Sequence, residues 1–357
     1  MTNQRAIPFL QIRGGSSKGI YLHEADLPEK GEQRDAVLKG LMGAYGDARQ
    51  IDGLGGGDPL SSKIAIIRTS ERAGVDIDYL FVQAIIGEDR LDDTPNCGNI
   101  LAGVGAFALE TGLVQRSGDH AKITVYMENS GKLCHLDFPI KDGLPVYEGD
   151  ASIDGVKGCS APVICTYEGL AGALCGAMLP TGNAHDVIDD VPVTCIDNGM
   201  PVVMLRGQDF GLTGDESPEA LNANEDLKSR LESIRLQAGP MMNLGDVTDK
   251  AVPKMCLCSP AKNGGAFSTR TFIPKQCHKA IGVLGAVTAA SAACLPDSAV
   301  AELATIPDGA IKQLCIEHPS GTFDVQLTFE NDEIVQSGLL RTARLIAKGE
   351  AYIPAQL

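Results

Sequence analysis

The chain has 357 residues, 44% of them hydrophobic and 21% charged, which suits two globular domains with substantial buried cores. Its formal net charge is −16 and Lys and Arg form no run, so a nucleic-acid partner is not expected. The N-terminal residues show no apolar signal region, and no uninterrupted apolar stretch reaches the roughly 18 residues of a membrane span.

The cysteines indicate a reducing compartment. There are eleven of them in a long chain, an odd number that fits reduced, buried side chains better than a disulfide framework. Cys256 and Cys258 have C-x-C spacing, but no second Cys or His pair accompanies them at ligand spacing. We therefore expect a cytoplasmic protein without a metal site.

Short apolar runs alternate with glycine-rich loops in the first half of the chain. The pattern predicts strands at 6–13, 19–22, 64–67 and 75–87, and a helix at 33–46. The loop at 14–19 joins the first two strands. The loop Asp-Gly-Leu-Gly-Gly-Gly-Asp-Pro-Leu-Ser-Ser-Lys at 52–63 leads into the third.

The segment from Gly98 to Glu110 is almost entirely small or apolar, which predicts a helix buried on all sides. Pro95 and Asn96 stand where such a helix would start, so Cys97 would lie at its N-terminus. Residues 273–290 repeat the order of Pro, then Cys277, then a small-residue helix.

This echo predicts an α/β (α+β) fold of two similar domains. Each would be a mostly antiparallel sheet or barrel wrapped round a central buried helix. We place the N-terminal domain at 1–182 and the C-terminal domain at 183–357, with the active site in the cleft between them. Further helices are predicted at 215–239, and a helix or a strand–helix unit at 333–348.

Cys97 and Lys63 are the sharpest candidates for chemistry. A thiol at a helix N-terminus meets unsatisfied N–H groups and partial positive charge, which favour a thiolate. A lysine that opens a buried strand is costly to desolvate and becomes usable as a base or an acid. The alternatives are a structural buried cysteine and a lysine whose amine reaches the surface.

Several polar side chains and backbone groups could hold an anion. The turn at 13–19, Arg-Gly-Gly-Ser-Ser-Lys-Gly, lacks the P-loop order but can form an anion-binding nest, or it is a plain hairpin turn. Gly264, Gly265 and Ser268 offer a similar set in the second half, and Arg235 is a weaker candidate. The candidate binding residues are Arg13, Gly15, Ser16, Ser17, Lys18, Ser62, Asn96, Gly98, Asn99, Arg270, Lys275, Cys277, His318 and Ser320.

Three motifs together resemble the family of methylaconitate cis–trans isomerase and 4-oxalomesaconate tautomerase. They are Arg-Gly-Gly-Ser-Ser-Lys-Gly at 13–19, Gly-Gly-Gly-Asp-Pro-Leu-Ser-Ser-Lys at 55–63 and Thr-Pro-Asn-Cys-Gly-Asn at 94–99. The resemblance spans nearly the whole chain and is closer to the oxalomesaconate branch. It implies a fold like that of diaminopimelate epimerase, with Lys63 and Cys97 serving in proton transfer.

The resemblance further implies a cofactor-free isomerase that shifts a proton in 4-oxalomesaconate during the breakdown of gallate or protocatechuate. Its partner is a small polycarboxylate, and a homodimer is the default assembly. Which of Lys63 and Cys97 is the base stays open. The alternatives are methylaconitate isomerisation, an epimerase that uses Cys97 and Cys277 as two thiols, and a non-catalytic binder of small anions.

Overall fold

The computed structural model describes residues 3–356, which form two compact units. The first unit contains the chain up to Tyr167 and the residues from Leu340 onward; the second contains the residues between them. The division therefore differs from the predicted boundary between residues 182 and 183. Residues 168–182 belong to the second unit because their backbone bonds run there: Gly172 donates to Asp197 O, and Asp197 N donates to Met178 O, both at 2.8 Å.

The described part of the chain contains seventeen strands and six α-helices. The helices are α1 (Glu32–Met42), α2 (Gly98–Leu101), α3 (Val104–Glu110), α4 (Pro218–Ala223), α5 (Glu225–Met241) and α6 (Val283–Cys294). The first strands are β1 (Gln4–Gly14), β2 (Ser17–His23), β3 (Lys63–Thr69), β4 (Ile77–Ala84), β5 (Leu91–Asp92), β6 (His120–Met127), β7 (Lys132–Lys141), β8 (Leu144–Pro145) and β9 (Pro162–Tyr167). The others are β10 (Asp186–Ile188), β11 (Val191–Asp197), β12 (Pro201–Arg206), β13 (Lys254–Ser259), β14 (Phe267–Phe272), β15 (Ile311–His318), β16 (Gly321–Glu330) and β17 (Glu333–Pro354).

Eight strands of the first unit close into a barrel. β2 is antiparallel to β1, β3 is parallel to β2, and β4 is antiparallel to β3. β6 is parallel to β4, and β7 and β9 continue the sheet antiparallel. β9 then pairs with β17, which runs antiparallel to β1 from Gln4 to Gly14. Since β1 and β9 both pair with β17, the ring leaves no free edge.

The barrel of the first unit surrounds α2 and α3. Every residue from Val104 to Leu109 is buried, which confirms the predicted central helix. The helix is not continuous over 98–110, however, and breaks at Ala102 and Gly103. Ile100 O, which would accept the next helical N–H, accepts the hydroxyl of Tyr21 at 2.6 Å and Gly103 N at 3.0 Å instead.

Helix α1 covers the outside of the barrel. Its apolar face packs with residues of β2, β3 and β4 into one core cluster, made of Val37, Leu38, Leu41, Met42, Ile20, Ile64, Ile66 and Val82 among others. The helix ends before the predicted residue 46 because Gly43 adopts the left-handed conformation with φ 66°.

The second unit repeats this order of elements. A strand pair, β11 and β12, is followed by the outer helix α5, a strand parallel to β12 and its antiparallel partner, then the buried helix α6. β15 joins β14 in parallel, and β16 and the first part of β17 follow antiparallel. Two similar domains, each a sheet with a central buried helix, are therefore confirmed.

The prediction of a helix or strand–helix unit at 333–348 is wrong, whereas the second small-residue helix follows Cys277 as predicted. Residues 333–354 form one long strand in place of a helix or strand–helix unit, because they pair first with β16 and then with β1. α6 begins at Val283, six residues after Cys277, because residues 272–277 form a tight turn closed by Ile273 N to Gln276 O at 2.9 Å. None of the helices within residues 3–356 has the length and apolar character needed to cross a bilayer.

Candidate active site

Lys63 is the first residue of β3 and its side chain is buried, with 9% of its surface exposed. Its Nζ donates to Gln83 Oε1 at 2.7 Å and lies 5.0 Å from the centroid of the Phe81 ring. Lys63 is directly opposite Gln83 in the β3–β4 ladder. Residues opposite each other share a face of a sheet, so Lys63 and Gln83 point to the same side.

The glycine-rich loop before Lys63 is held by two glutamines. Gln50 Oε1 accepts Gly57 N at 3.0 Å and Ser62 Oγ at 2.5 Å. Gln83 Nε2 donates to Pro59 O at 3.3 Å and to Ser62 O at 2.9 Å. The hydroxyl of Ser62, a predicted binding group, is thus engaged with Gln50. Neither glutamine was singled out from sequence, because its partners are defined only by the fold.

Cys97 is partly exposed and stands immediately before α2, as predicted. Its carbonyl oxygen accepts Leu101 N at 3.0 Å and the hydroxyl of Tyr79 at 3.3 Å. The first turn leaves the N–H groups of Gly98 and Asn99 without intrahelical acceptors, so they can donate to a ligand. Because α2 has only four residues, it can stabilise a negative charge through these local N–H donors and not through the dipole of a long helix.

Asn129 ties the segment before Cys97 to the sheet. Its Nδ2 donates to Asp93 O at 2.7 Å and to Phe81 O at 2.9 Å, and its Oδ1 accepts Phe81 N at 2.9 Å. Phe81 is the residue whose ring lies below the Lys63 amine. The Asn129 side chain therefore links β4, the strand paired with that of Lys63, to the loop that precedes Cys97. Its only sequence signal is a polar turn, Glu-Asn-Ser-Gly at 128–131.

Two buried tyrosines support the start of α2. Tyr21 donates its hydroxyl to Ile100 O, and Tyr79 donates to Cys97 O. Burial raises the pKa of both phenols well above the usual value, and the nearby Cys97 adds to the effect. Both phenols therefore stay protonated at neutral pH and act as hydrogen-bond donors.

The turn between β1 and β2 contacts α2 directly. A Cβ on Gly14 would lie 2.3 Å from Asn99 O, and one on Gly15 would lie 2.1 Å from Asn99 Oδ1. Asn99 Nδ2 donates to Ser16 Oγ at 3.2 Å. The structure thus brings three predicted binding residues, Gly15, Ser16 and Asn99, next to Cys97. Ser17 Oγ is buried and has no hydrogen-bond partner among the described residues.

The first turn of α2 also lies over the strand beside Lys63. Gly19 of β2 is the register partner of Lys63 in β3. A Cβ on Gly19 would meet Lys63 O at 2.7 Å and Ile100 Cδ1 at 3.1 Å. Ile100 is three residues beyond Cys97. Cys97 and Lys63 are therefore positioned at the same end of the barrel, on the side of the sheet that faces the central helix.

Arg13 and Lys18, also predicted to bind the substrate, lie around this turn. Arg13 Nη1 donates to Gly15 O at 2.9 Å and to Thr342 Oγ1 at 2.9 Å, and Nη2 donates to Ser160 Oγ at 3.0 Å. Its guanidinium lines a cavity of about 590 Å³ together with Arg344 and Lys157. Lys18 N donates to Leu60 O at 2.8 Å, and Asn96 is exposed.

The predicted nest at Gly264 and Gly265 is filled by the protein itself. The carboxylate of Glu317 accepts N–H groups from Lys262 at 2.9 Å, Asn263 at 2.6 Å and Gly265 at 3.0 Å. Burial opposes ionisation of this carboxyl, but the backbone donors outweigh it and lower its pKa. An external anion is therefore not expected there.

The cations predicted in the second unit have partners of their own. Arg270 Nε donates to Glu216 O at 2.8 Å, and Lys275 Nζ lies 3.5 Å from Glu232 Oε1 with 61% of its side chain exposed. Arg235 is fully buried, paired with Glu232 and bonded to backbone carbonyls, which is a structural arrangement.

Cys277, His318 and Ser320 also lie in the second unit. Cys277 belongs to its hydrophobic core, and burial raises the pKa of this thiol to about 11. His318 Nδ1 accepts Ser320 N at 3.3 Å, and Ser320 Oγ donates to Lys279 O at 2.7 Å. Cys256 Sγ and Cys258 Sγ are 3.9 Å apart on β13, and residues 3–356 contain no cluster of three or more His, Cys, Asp or Glu that could hold a metal.

Comparison with known proteins gives a consistent result over nearly the whole length. The 4-oxalomesaconate tautomerase of Pseudomonas putida is 53% identical over 351 residues, covering 98% of this chain and 97% of that protein. The (4E)-oxalomesaconate Delta-isomerase of Novosphingobium sp. is 49% identical over 352 residues, with 98% of each covered. The crystal structure of a methylitaconate-delta-isomerase superposes with a TM-score of 0.93 at 32% identity, covering 99% of this chain and 97% of that one.

The family described as PrpF protein matches residues 4–354. That match spans all but a few terminal residues and includes the Gly15–Ser16–Asn99 contacts, Lys63 and Cys97. The chain belongs to the PrpF protein family.

Proposed function

We propose that this protein is an isomerase that shifts a proton in 4-oxalomesaconate, with Lys63 and Cys97 as the acid–base pair. The observation that carries the proposal is the placement of these two groups at one end of the first barrel, beside the glycine-rich turn and Asn99. Relatives 53% and 49% identical are named for activity on oxalomesaconate.

The chemistry needs three things from the protein. One group removes a proton from carbon, and the electron pair that is left delocalises into the conjugated carbonyl and carboxylates. The other group, or the same one, returns a proton to oxygen or to the carbon two positions away, so that atoms and charge balance. The N–H groups of Gly98 and Asn99 are suited to stabilise the developing enolate oxygen or to hold a carboxylate.

Substitution of each group tests the assignment. Lys63→Met and Cys97→Ser should each lower kcat by about two to four decades, the usual contribution of a general acid or base. The measurement is turnover of 4-oxalomesaconate, followed by proton NMR in D₂O so that incorporation of deuterium reports the proton transfer. Full activity in both variants would remove the assignment.

The same NMR experiment separates the remaining alternatives. Deuterium incorporation distinguishes a catalyst from a non-catalytic anion binder, and the position of the deuterium distinguishes an enol product from an allylic isomer. Methylaconitate as a second substrate tests the alternative isomerisation. A cytoplasmic location, a homodimer and a role in gallate or protocatechuate breakdown stay predictions.

A further inference from the structure

We propose that Gln83 is a positioning residue that holds the Lys63 amine through a neutral acceptor and so leaves it free to gain and lose a proton. The inference rests on the proposed function, in which Lys63 transfers a proton. The observation behind it is the short bond from Lys63 Nζ to Gln83 Oε1, 2.7 Å.

The orientation of the Gln83 amide is determined by its other end. Nε2 donates to Ser62 O at 2.9 Å, Ala84 O at 3.1 Å and Pro59 O at 3.3 Å. A flipped amide would place its oxygen against three carbonyl oxygens and its NH₂ against the lysine amine. Both contacts would be repulsive, so the network holds Oε1 towards Lys63.

No carboxylate of the described residues is in contact with the Lys63 amine. Within residues 3–356, Lys63 has no ion pair. The nearest carboxylate by register is Asp92, opposite Gln83 on β5, and it accepts Thr94 N at 3.0 Å and Thr94 Oγ1 at 2.7 Å. Asp58, in the loop before Lys63, accepts Leu60 N at 2.7 Å.

The other titratable groups around Lys63 are neutral donors or the proposed partner. Tyr21 on β2 and Tyr79 on β4 are buried phenols whose hydroxyls are bonded to α2 carbonyls. The remaining group is Cys97, which precedes α2. Lys18, next to Gly19 on β2, alternates to the opposite face of the sheet.

A neutral amide oxygen serves both protonation states of the amine. It accepts a hydrogen from an ammonium or from a neutral amine, so it holds Nζ in both states, and its preference for the ammonium is weaker than that of a charged acceptor. A carboxylate in its place would favour the ammonium strongly, as opposite charges within about 4–6 Å do. The amide is thus matched to a group that must change charge in each turnover.

The test compares Gln83→Glu with Gln83→Met. Both lose the three bonds donated by Nε2; Gln83→Glu keeps an acceptor for Lys63 and makes it charged, whereas Gln83→Met removes the acceptor. Gln50→Met is the control, because it removes two bonds of the same loop without touching the lysine amine. Thermal denaturation confirms that each variant is folded.

The first readout does not depend on catalysis. Lys63 is acetylated competitively with trace acetic anhydride between pH 7 and 11, and the peptide that contains it is quantified by mass spectrometry. We expect the midpoint of labelling to rise by about one pH unit or more in Gln83→Glu. It should fall in Gln83→Met, and it should stay at the wild-type value in Gln50→Met.

The second readout is the pH profile of kcat/KM. The limb that reports Lys63 should move to higher pH in Gln83→Glu, whether the lysine acts as base or acid. In Gln83→Met, kcat should fall about tenfold or more with KM little changed, because the amine is no longer held in place.

The two failures are distinguishable. Unchanged labelling midpoints and a kcat within twofold of wild type in both Gln83 variants would overturn the role of Gln83. Shifted midpoints in a protein that turns over no oxalomesaconate would support Gln83 as the holder of Lys63 while refuting the proposed function.

Discussion

Burial decides which chemistry is open to Cys277. The thiol lies in the hydrophobic core of the second unit, donates to His278 O at 3.7 Å, and has its pKa raised to about 11 by that burial. An epimerase that used Cys277 as a second acid–base thiol would need it to lose and regain a proton, and the raised pKa disfavours the ionised state. The residue therefore fits a structural role, although sequence placed it in parallel with Cys97.

The substitution Cys277→Ala tests whether Cys277 has a structural role. We expect kcat for oxalomesaconate within about threefold of wild type, and a loss of about 1 kcal/mol in the free energy of unfolding, from a small cavity. Steady-state kinetics and urea denaturation measure the two quantities. Abolished proton exchange in a folded variant would instead favour a two-thiol mechanism.

Glu317 makes part of the stability of the second unit dependent on pH. Its pKa is lowered in the folded chain, so its contribution is complete above the unfolded value, about 4.3, and is lost as pH falls below it. Glu317→Gln should cost about 1–3 kcal/mol at pH 7, because the three N–H groups lose a charged acceptor and the new NH₂ cannot accept from any of them. Urea denaturation at pH 7 and pH 4 should show a smaller difference between variant and wild type at the lower pH; an equal difference at both would contradict this.

At the scale of elements, the central helices of the two units differ in how tightly they are packed. Gly105 in α3 and Gly285 in α6 are equivalent by their distance from Cys97 and Cys277. A Cβ on Gly105 would lie 2.4 Å from Phe138 Cε1, whereas one on Gly285 would meet only Ile281 Cγ1, at 3.8 Å. Gly105 is therefore required by a close approach, and Gly285 is not.

Alanine at each glycine is a matched pair of tests. Gly105→Ala should destabilise the protein by about 1–3 kcal/mol through overpacking against Phe138. Gly285→Ala should be neutral or stabilise it by up to about 1 kcal/mol, because alanine is the better helix former. Thermal or urea unfolding compares them; equal effects of the two substitutions would contradict the difference in packing.

Local patterns predicted the first four strands and the helices, and non-local bonds account for much of the rest. Apolar runs located β1 to β4, and stretches of small residues located both buried helices. The break in the first central helix follows from a hydroxyl of Tyr21, 79 residues away from its acceptor, Ile100 O. At the candidate site, motifs singled out Lys63 and Cys97 as candidates, but Gln83 and Asn129 look like ordinary polar residues until folding brings their partners to them.

At the scale of the whole molecule, the duplication was visible in sequence, but the path of the chain was not. Nothing in the composition of residues 340–356 shows that they complete the first barrel, because pairing of β17 with β1 joins residues more than 300 positions apart. The predicted domain boundary between residues 182 and 183 assumed that each domain is one continuous half of the chain. The first unit is instead built from both ends of the chain.

A chain that stops after Leu339 tests this arrangement. It keeps the segment assigned to the second unit but lacks the strand that pairs with β1 from Gly14 to Gln4. We expect amide protection in β1 and around the central helix of the first unit to be lost, measured by hydrogen exchange. Full protection of β1 in the shortened chain would show that the first unit does not need β17.

Because β17 is the last strand of the chain, the first barrel cannot close until synthesis is nearly complete. The ribosome must translate the whole segment from Glu168 to Leu339 before the strand that closes the first barrel exists. At elongation rates of about 5–20 residues per second, that interval is roughly ten to thirty seconds. Throughout it, β1 and β9 present open edges able to pair with other chains. We therefore expect wrong strand pairing to be most frequent while the N-terminal half is still attached to the ribosome.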